Sequence, residues 1–288
     1  MNNFNEKQNN FELLSLLKLQ RHKYNKVAFV STFNFILSVI VPIILSIIGL
    51  FKIPDNYISY INYVGAVCTI MCLWLSSSLK TMKENAAKVQ YIFDVQLFGF
   101  KQNSFICNST MADLLAQSKK EKIQNLKGLE NWYSIKSNIK TNDAIFSCQQ
   151  QNIRWDKKLR RFFLYFILSI SFLSLFTIVS IAILKNLEFN ILWSYIFLLM
   201  PIIAYSMSFI FSSINDIKNQ NELVEILNSY KTKKNLSIKE LSSIEEKIFH
   251  YRKGLVKIPN WFFYIFRKSM QKEADYYSEI ESDKYTKS

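Results

Sequence analysis

Four stretches of this chain contain no Asp, Glu, Lys or Arg: Val27 to Phe51, Asn56 to Leu79, Phe162 to Leu184 and Phe189 to Asn215. They run 25, 24, 23 and 27 residues. A helix needs about 20 mainly apolar residues to cross the hydrocarbon core of a bilayer, and a longer stretch crosses with tilt. The pattern predicts an all-α membrane protein with four transmembrane helices. Links of a few residues join the first stretch to the second and the third to the fourth, so the spans pair as two hairpins. Pro54 and Asp55 suit the turn of the first hairpin, and Lys185-Asn-Leu-Glu188 forms that of the second. The first stretch is too long for a cleavable signal peptide and is expected to act as an uncleaved anchor.

The polar remainder divides the chain further. Residues 1–26 read as an amphipathic helix, with Leu13, Leu14, Leu17 and Tyr24 at helical spacing. Docking on the rest of the polar part and lying on lipid are both open to it. Residues 27–79 form hairpin 1 and residues 162–215 hairpin 2. Residues 80–161 are a helical segment between them. There, Lys80 to Leu97 continues the second span and Leu129 to Arg161 leads into the third, predicting an antiparallel stalk. Gly99 to Lys127 is its irregular distal turn. In the tail, residues 216–288, Leu223, Ile226, Leu227 and Tyr230 mark one helix face. Ser237 and Glu240 make a capping box that opens another helix, with Ile238, Leu241, Ile244 and Ile248 as its apolar face. The aromatic run Trp261, Phe262, Phe263, Tyr264 and Phe266 is expected to pack in a core, with anchoring at the membrane interface as the alternative.

Charge orients this layout. The net charge is +14. Sixteen Lys and Arg residues flank the outer ends of the two hairpins, and the two short links hold only Lys52 and Lys185. The positive-inside rule then predicts a multi-pass protein of the inner (cytoplasmic) membrane, with both termini and the middle segment cytoplasmic. Such a basic surface suits anionic lipid head groups or an anionic ligand.

Candidate chemistry is sparse. The chain has 5 Gly and 2 His, and lacks a phosphate loop, a nucleophile elbow, an H-E-x-x-H pair and a dinucleotide fingerprint. No enzyme, metal, cofactor or nucleic-acid site is expected. Cys68 and Cys72, four apart within a span, read as packing residues. Spans without ionisable groups argue against a proton pump or voltage sensor. They do carry polar stripes: Tyr205, Ser208, Ser212 and Asn215 in the fourth, Ser171, Ser174 and Thr177 in the third, and Ser31, Asn34 and Ser38 in the first. Hydrogen bonding between packed helices explains such stripes. Lining a pore also explains them, and makes Tyr205, Ser208, Ser212 and Asn215 the pore-lining candidates. Four helices enclose too little space for water, so a pore requires a homo-oligomer in the bilayer. Pro42 and Pro201 fall mid-span, where they can kink a helix.

Three segments resemble the SMODS-associated four-transmembrane effector family of bacterial anti-phage systems. They are EKQNNFELLSLLKLQRHKY near the start, ENAAKVQYIFDVQLF after the second span and CQQQNIRWDKKLRRFF entering the third. A weaker match is IEEKIFHYRKGLVKIPNW. The chain departs from the family pattern at Gln150, where Arg is preferred, and at Gly99-Phe100, where Pro-Trp is preferred. The resemblance implies a membrane effector that responds to a cyclic (oligo)nucleotide made by a partner nucleotidyltransferase and disrupts the inner membrane. A regulated ion channel without a defence role, and a scaffold recruiting a cytoplasmic partner, share the same layout. The motif residues Gln90, Asp94, Cys148, Gln149, Asn152, Trp155, Asp156, Arg160 and Arg161 are candidates either for binding the ligand or for holding the stalk together. Gln90 and Asp94 share one helix face, as do Asn152 and Asp156; such a line of polar groups either binds a ligand or holds the stalk by hydrogen bonds and an Asp–Arg pair. Trp155 suits stacking on a base or anchoring at the membrane interface.

Overall fold

A computed structural model describes residues 4–50, 55–121, 129–133, 140–154, 157–185, 189–231, 236–255, 257–259, 261–262 and 265. The described residues are helical with no strand. In order they form α1 (Phe4–Gln8), α2 (Phe11–Phe35), a π-helical turn (Ile36–Ile40), α3 (Val41–Leu50), α4 (Asp55–Phe98), α5 (Met111–Lys120), α6 (Thr141–Arg154), α7 (Lys157–Lys185), α8 (Phe189–Lys231) and α9 (Ile238–Gly254). Four of these runs are long and apolar enough to cross a membrane, as the charge-free stretches predict. The turns between the paired spans, residues 51–54 and 186–188, lie outside the described residues apart from their flanks.

Local chemistry accounts for the shape of the first span. Pro42 has no N–H and cannot close an α-helical bond to the carbonyl four residues back. The helix widens immediately before it, and the Val41 N–H reaches the Ile36 carbonyl, the spacing of a π turn. Across the bundle, Gly65 of α4 lies against Leu198 of α8; a Cβ there would sit 3.5 Å from the Leu198 Cα. Small residues permit this close approach of spans. The apolar residues that face outward, among them Phe29, Ile70, Trp74, Phe172 and Phe211, form the surface expected to meet lipid.

The polar half of the molecule is a helical body with its own core. Leu16, Leu17 and Leu19 of α2, Ile92, Phe93 and Leu97 of α4, Leu129, Ile145 of α6, and Leu241 and Ile248 of α9 are buried together. The amphipathic start of the chain therefore docks on protein. α2 is a principal partner of α4 and is walled off by α5. At the end of α4, Gly99 takes φ +74° and the Phe100 N–H reaches back to the Val95 carbonyl, 3.0 Å away. This left-handed closing turn favours glycine. Lys7 donates to the Leu97 carbonyl at 2.8 Å, placing a cation at the negative end of the same helix.

Several sequence expectations need correction. The stretch Gly99 to Lys127 contains a helix, α5, opened by a capping box between Thr110 and Asp113. The arm from Leu129 to Arg161 is not helical throughout: Leu129–Tyr133 is irregular and helix begins at Thr141. The antiparallel stalk pairs different helices, since α4 packs chiefly on α2, α8 and α9, while α6 lies against α9. The first tail helix is the continuation of the fourth span, in one helix of 43 residues. The Ser237–Glu240 capping box is present. Leu241, Ile244 and Ile248 are buried as expected, but Ile238 is exposed, because it is the first helical residue and lies beyond the packed face. Trp261 and Phe262 pack on Phe35, Phe163 and Phe166. Phe263, Tyr264 and Phe266 lie outside the described residues.

Candidate functional site

Of the polar motif residues, Asp94, Gln149 and Asn152 meet in one buried cluster in the helical body, with Cys148 beside it. Asp94, on α4, is fully enclosed. Arg252 of α9 donates to its Oδ2 at 2.7 Å, and the Tyr133 hydroxyl donates to its Oδ1 at 2.6 Å. Asn152 of α6 donates to the Tyr133 Oη at 2.8 Å. The same Arg252 nitrogen lies 3.5 Å from Glu245 Oε1. Gln149 donates to Glu245 Oε2 at 3.1 Å and to the Leu241 carbonyl at 2.8 Å. Gln8 forms a two-way bridge with the Tyr133 backbone, donating to its carbonyl at 3.2 Å and accepting its N–H at 3.0 Å. Tyr24 of α2 donates to Gln90 Oε1 at 3.4 Å. Residues from α1, α4, α6 and α9 and from the irregular Tyr133 segment thus share a single network.

Two carboxylates, Asp94 and Glu245, flank one guanidinium. Burial, and then the negative charge of Asp94, push the Glu245 carboxyl up to about 8. Its protonated form is therefore favoured beside Arg252. Burial and the same carboxylate raise the Tyr133 phenol well above its usual range, keeping it a donor. Burial likewise raises the Cys148 thiol, so this cysteine packs as an unreactive thiol beside the cluster.

The Asp–Arg pair that the structural reading offered is present at Asp94, and its arginine is Arg252 of the tail, outside the three motif segments. Arg160 instead joins Asp216 of α8 at 3.1 Å, both nearly enclosed, where the spans enter the body. Arg161 is exposed. Trp155 and Asp156 lie outside the described residues. Sequence reasoning missed Tyr133, Asp216, Glu245 and Arg252 as members of these sites. A signal was available for two of them. Leu241, Glu245, Ile248 and Arg252 follow one another at spacings of four, three and four, so two charged residues fall on the apolar stripe of α9.

A second polar site lies nearer the membrane. A pocket of about 70 Å³ opens between α2, α4 and α8, lined by Ser31, Asn34, Ser76, Lys83, Ser208 and Ser212, with Tyr205, Phe209, Leu79 and Lys257 completing it. Asn34 donates to the Ser76 hydroxyl at 3.3 Å, and Ser31 donates to the Lys257 carbonyl at 3.0 Å. Three of the four pore-lining candidates, Tyr205, Ser208 and Ser212, meet here. Asn215 is exposed and outside the pocket. Tyr205 is also buried in an aromatic cluster with Phe35 and Phe209.

Comparison with known proteins fits this arrangement. A Bacillus cereus (strain VD146) protein named as a probable CBASS effector molecule is 26% identical to this chain over 277 residues, covering 90% of this chain and 92% of its own length. No solved structure matches. Residues 2–279 match the family described as the SMODS-associating 4TM effector domain. That range takes in all four spans, the buried network and the pocket, and the chain belongs to this family.

Proposed function

We propose that this protein is a non-enzymatic membrane effector of a nucleotide-signalled anti-phage system. Its polar body faces the cytoplasm. A cyclic (oligo)nucleotide from a partner nucleotidyltransferase triggers it, copies of the chain assemble, and the assembly permeabilises the inner membrane. Family membership and the printed name of the Bacillus cereus relative supply the setting. The observation that carries the mechanism is the continuity of α4 and α8. Each runs unbroken from the apolar half into the body, over 44 and 43 residues. The α4 end bears Asp94, and α8 bears Asp216 at the boundary and Leu223 and Leu227 in the body core. A shift in the body is therefore carried into the spans along continuous helix, with Pro201 inside α8 as a point where it can bend. Ser208 and Asn215 are exposed on α8 and available to a neighbouring copy.

The test is dye release from liposomes carrying the purified chain, with and without cyclic dinucleotides. It is paired with membrane-potential imaging of cells that express the chain beside its nucleotidyltransferase. Release and depolarisation only when the signal is supplied are expected. Intact liposomes and a steady potential under every signal would remove the pore reading. Ser208→Leu combined with Ser212→Leu is expected to suppress release; unchanged release would assign those hydroxyls to packing.

A further inference from the structure

Where α7 meets α8, polar groups are buried at successive heights along the contact. The two helices run antiparallel, and three pairs set their register. The Ser171 and Ser206 hydroxyls lie 2.6 Å apart. The Phe163 and Phe209 rings meet edge to face, 4.9 Å between centres. Arg160 donates to Asp216 Oδ2 at 3.1 Å. On α8 this face reads Ser206, Phe209, Ser213, Asp216 and Gln220, at helical spacing, and all five are buried. The apolar half ends at Asp216. Ser206 precedes it by ten positions, which is about 15 Å of helix and half of a hydrocarbon core about 30 Å thick. The polar face therefore extends from the body to the level of the bilayer centre.

Tight packing does not account for this face. Ser213 and Gln220 are each 1% exposed. Gln220 donates to the Ile153 carbonyl at 2.8 Å. Its Oε1 and the Ser213 hydroxyl have no hydrogen-bond partner among the described residues. A buried polar atom without a partner is costly, and water admitted beside it removes that cost. One of these atoms lies about a turn to the membrane side of the ion pair, the other about a turn to the body side. The ion pair itself is crowded with cations. Asp216 attracts the Lys83 ammonium of α4 as well as Arg160, and the two cations repel each other. Just inside it, the Phe163–Phe209 pair is an apolar constriction, the kind that keeps a narrow path dry. Of the four spans α7 is the least buried. Its chief partner is α8, and Phe172, Leu173, Phe176 and Ile183 on its other sides are exposed.

We infer that the α7–α8 contact is a gated polar path, with the Arg160–Asp216 pair closing its body-side mouth. When α7 parts from α8, water reaches Ser213, Ser206 and Ser171, and these faces become the wall of the opening. The exposed side of α8, with Ser208 and Asn215, stays available to the neighbouring copy. This deepens the proposed function and rests on it for what the opening does; the entry of water does not depend on it. Without the Asp216 carboxylate, Arg160 and Lys83 would repel each other at the mouth, and hydrating them would favour the parted state.

The experiment uses the full-length protein in liposomes with no nucleotide added. Asp216→Asn should raise dye release about tenfold or more over the parent, the scale on which losing one partner of a buried ion pair shifts an equilibrium. Asp216→Glu, which keeps the charge, should stay near the parent. A disulfide lock tests whether the release runs through this contact. Ser171→Cys with Ser206→Cys, added to Asp216→Asn and oxidised, should seal the liposomes, and reduction should reopen them. The parent, with its four free cysteines, is the control for oxidation. Water entry is read separately with Ser213→Cys and a membrane-impermeant maleimide present on both faces. Asp216→Asn should make that cysteine react, while Cys107 and Cys148 of the body stay unreactive, as they would not in an unfolded chain. The inference is overturned if the cysteine at 213 stays unreactive in Asp216→Asn, or if the oxidised lock leaves release unchanged. Release by the parent with cyclic dinucleotides that ignores the lock would sink the path and leave the proposed function standing. Labelling at 213 without release under any condition would keep the path and remove the proposed function.

Discussion

At the residue scale, the Asp94–Arg252 pair holds α4 and α9 together in a place where neither charge reaches water. Removing one member of a buried pair leaves the other uncompensated, at a cost of about 3–5 kcal/mol. Arg252→Ala should therefore lower the melting temperature of the detergent-purified protein markedly, whereas Arg161→Ala, at an exposed site, should change it little. Equal effects would mean that the cluster is not a structural keystone. Glu245 makes a prediction of opposite flavour. Its folded carboxyl is raised from 4.5 to about 8, so between those values the folded state holds a proton that the unfolded chain releases. Stability is then highest below this window and is lost as pH rises through it. Thermal melts from pH 5 to pH 9 should show that decline, and Glu245→Gln, which cannot titrate, should flatten it. A slope that persists in Glu245→Gln belongs to some other group.

At the scale of the element, what could be read in advance depended on whether the signal was local. Charge-free runs mark the spans because each ionisable side chain placed in the hydrocarbon core is costly. The Ser237–Glu240 box marked the start of α9 because both partners lie within one turn. The Thr110–Asp113 box carried the same signal for α5, but a helix of ten residues inside a polar stretch shows too few apolar repeats to draw attention to it. Long-range pairing was beyond a single sequence. Asp94 and Arg252 are 158 positions apart, and nothing in periodicity chooses Arg252 over Arg160, which also lies one turn past a polar motif. For the same reason the stalk was assigned to the wrong helices: adjacency along the chain suggested α4 with α6, and burial favoured α2 and α9. The close approach of α4 and α8 at Gly65 offers an element-level test. Gly65→Leu overpacks the contact with Leu198 and should cost about 1–3 kcal/mol, seen as a lower melting temperature. An unchanged melt would show that the two spans can separate there freely.

For the whole molecule, the division into an apolar half and a basic half makes orientation a physical question. Sixteen Lys and Arg residues flank the spans on the body side, against Lys52 and Lys185 in the opposite links. Each flanking cation resists translocation during insertion, and the bias in these counts sets which side stays in the cytoplasm. The two hairpins agree with each other, so neither has to be inserted against its own charge. A fluorescent reporter placed after Asn125 or at the C-terminus should therefore be bright, and alkaline phosphatase at the same places should be inactive. Replacing Lys80, Lys83 and Lys88 with Gln weakens the bias beside hairpin 1 alone, while the five basic residues entering the third span still hold the middle segment. That variant should keep the same topology. Active phosphatase after Asn125 in the parent protein would place the body outside the compartment in which a nucleotide signal is made, and the proposed function would fall with it.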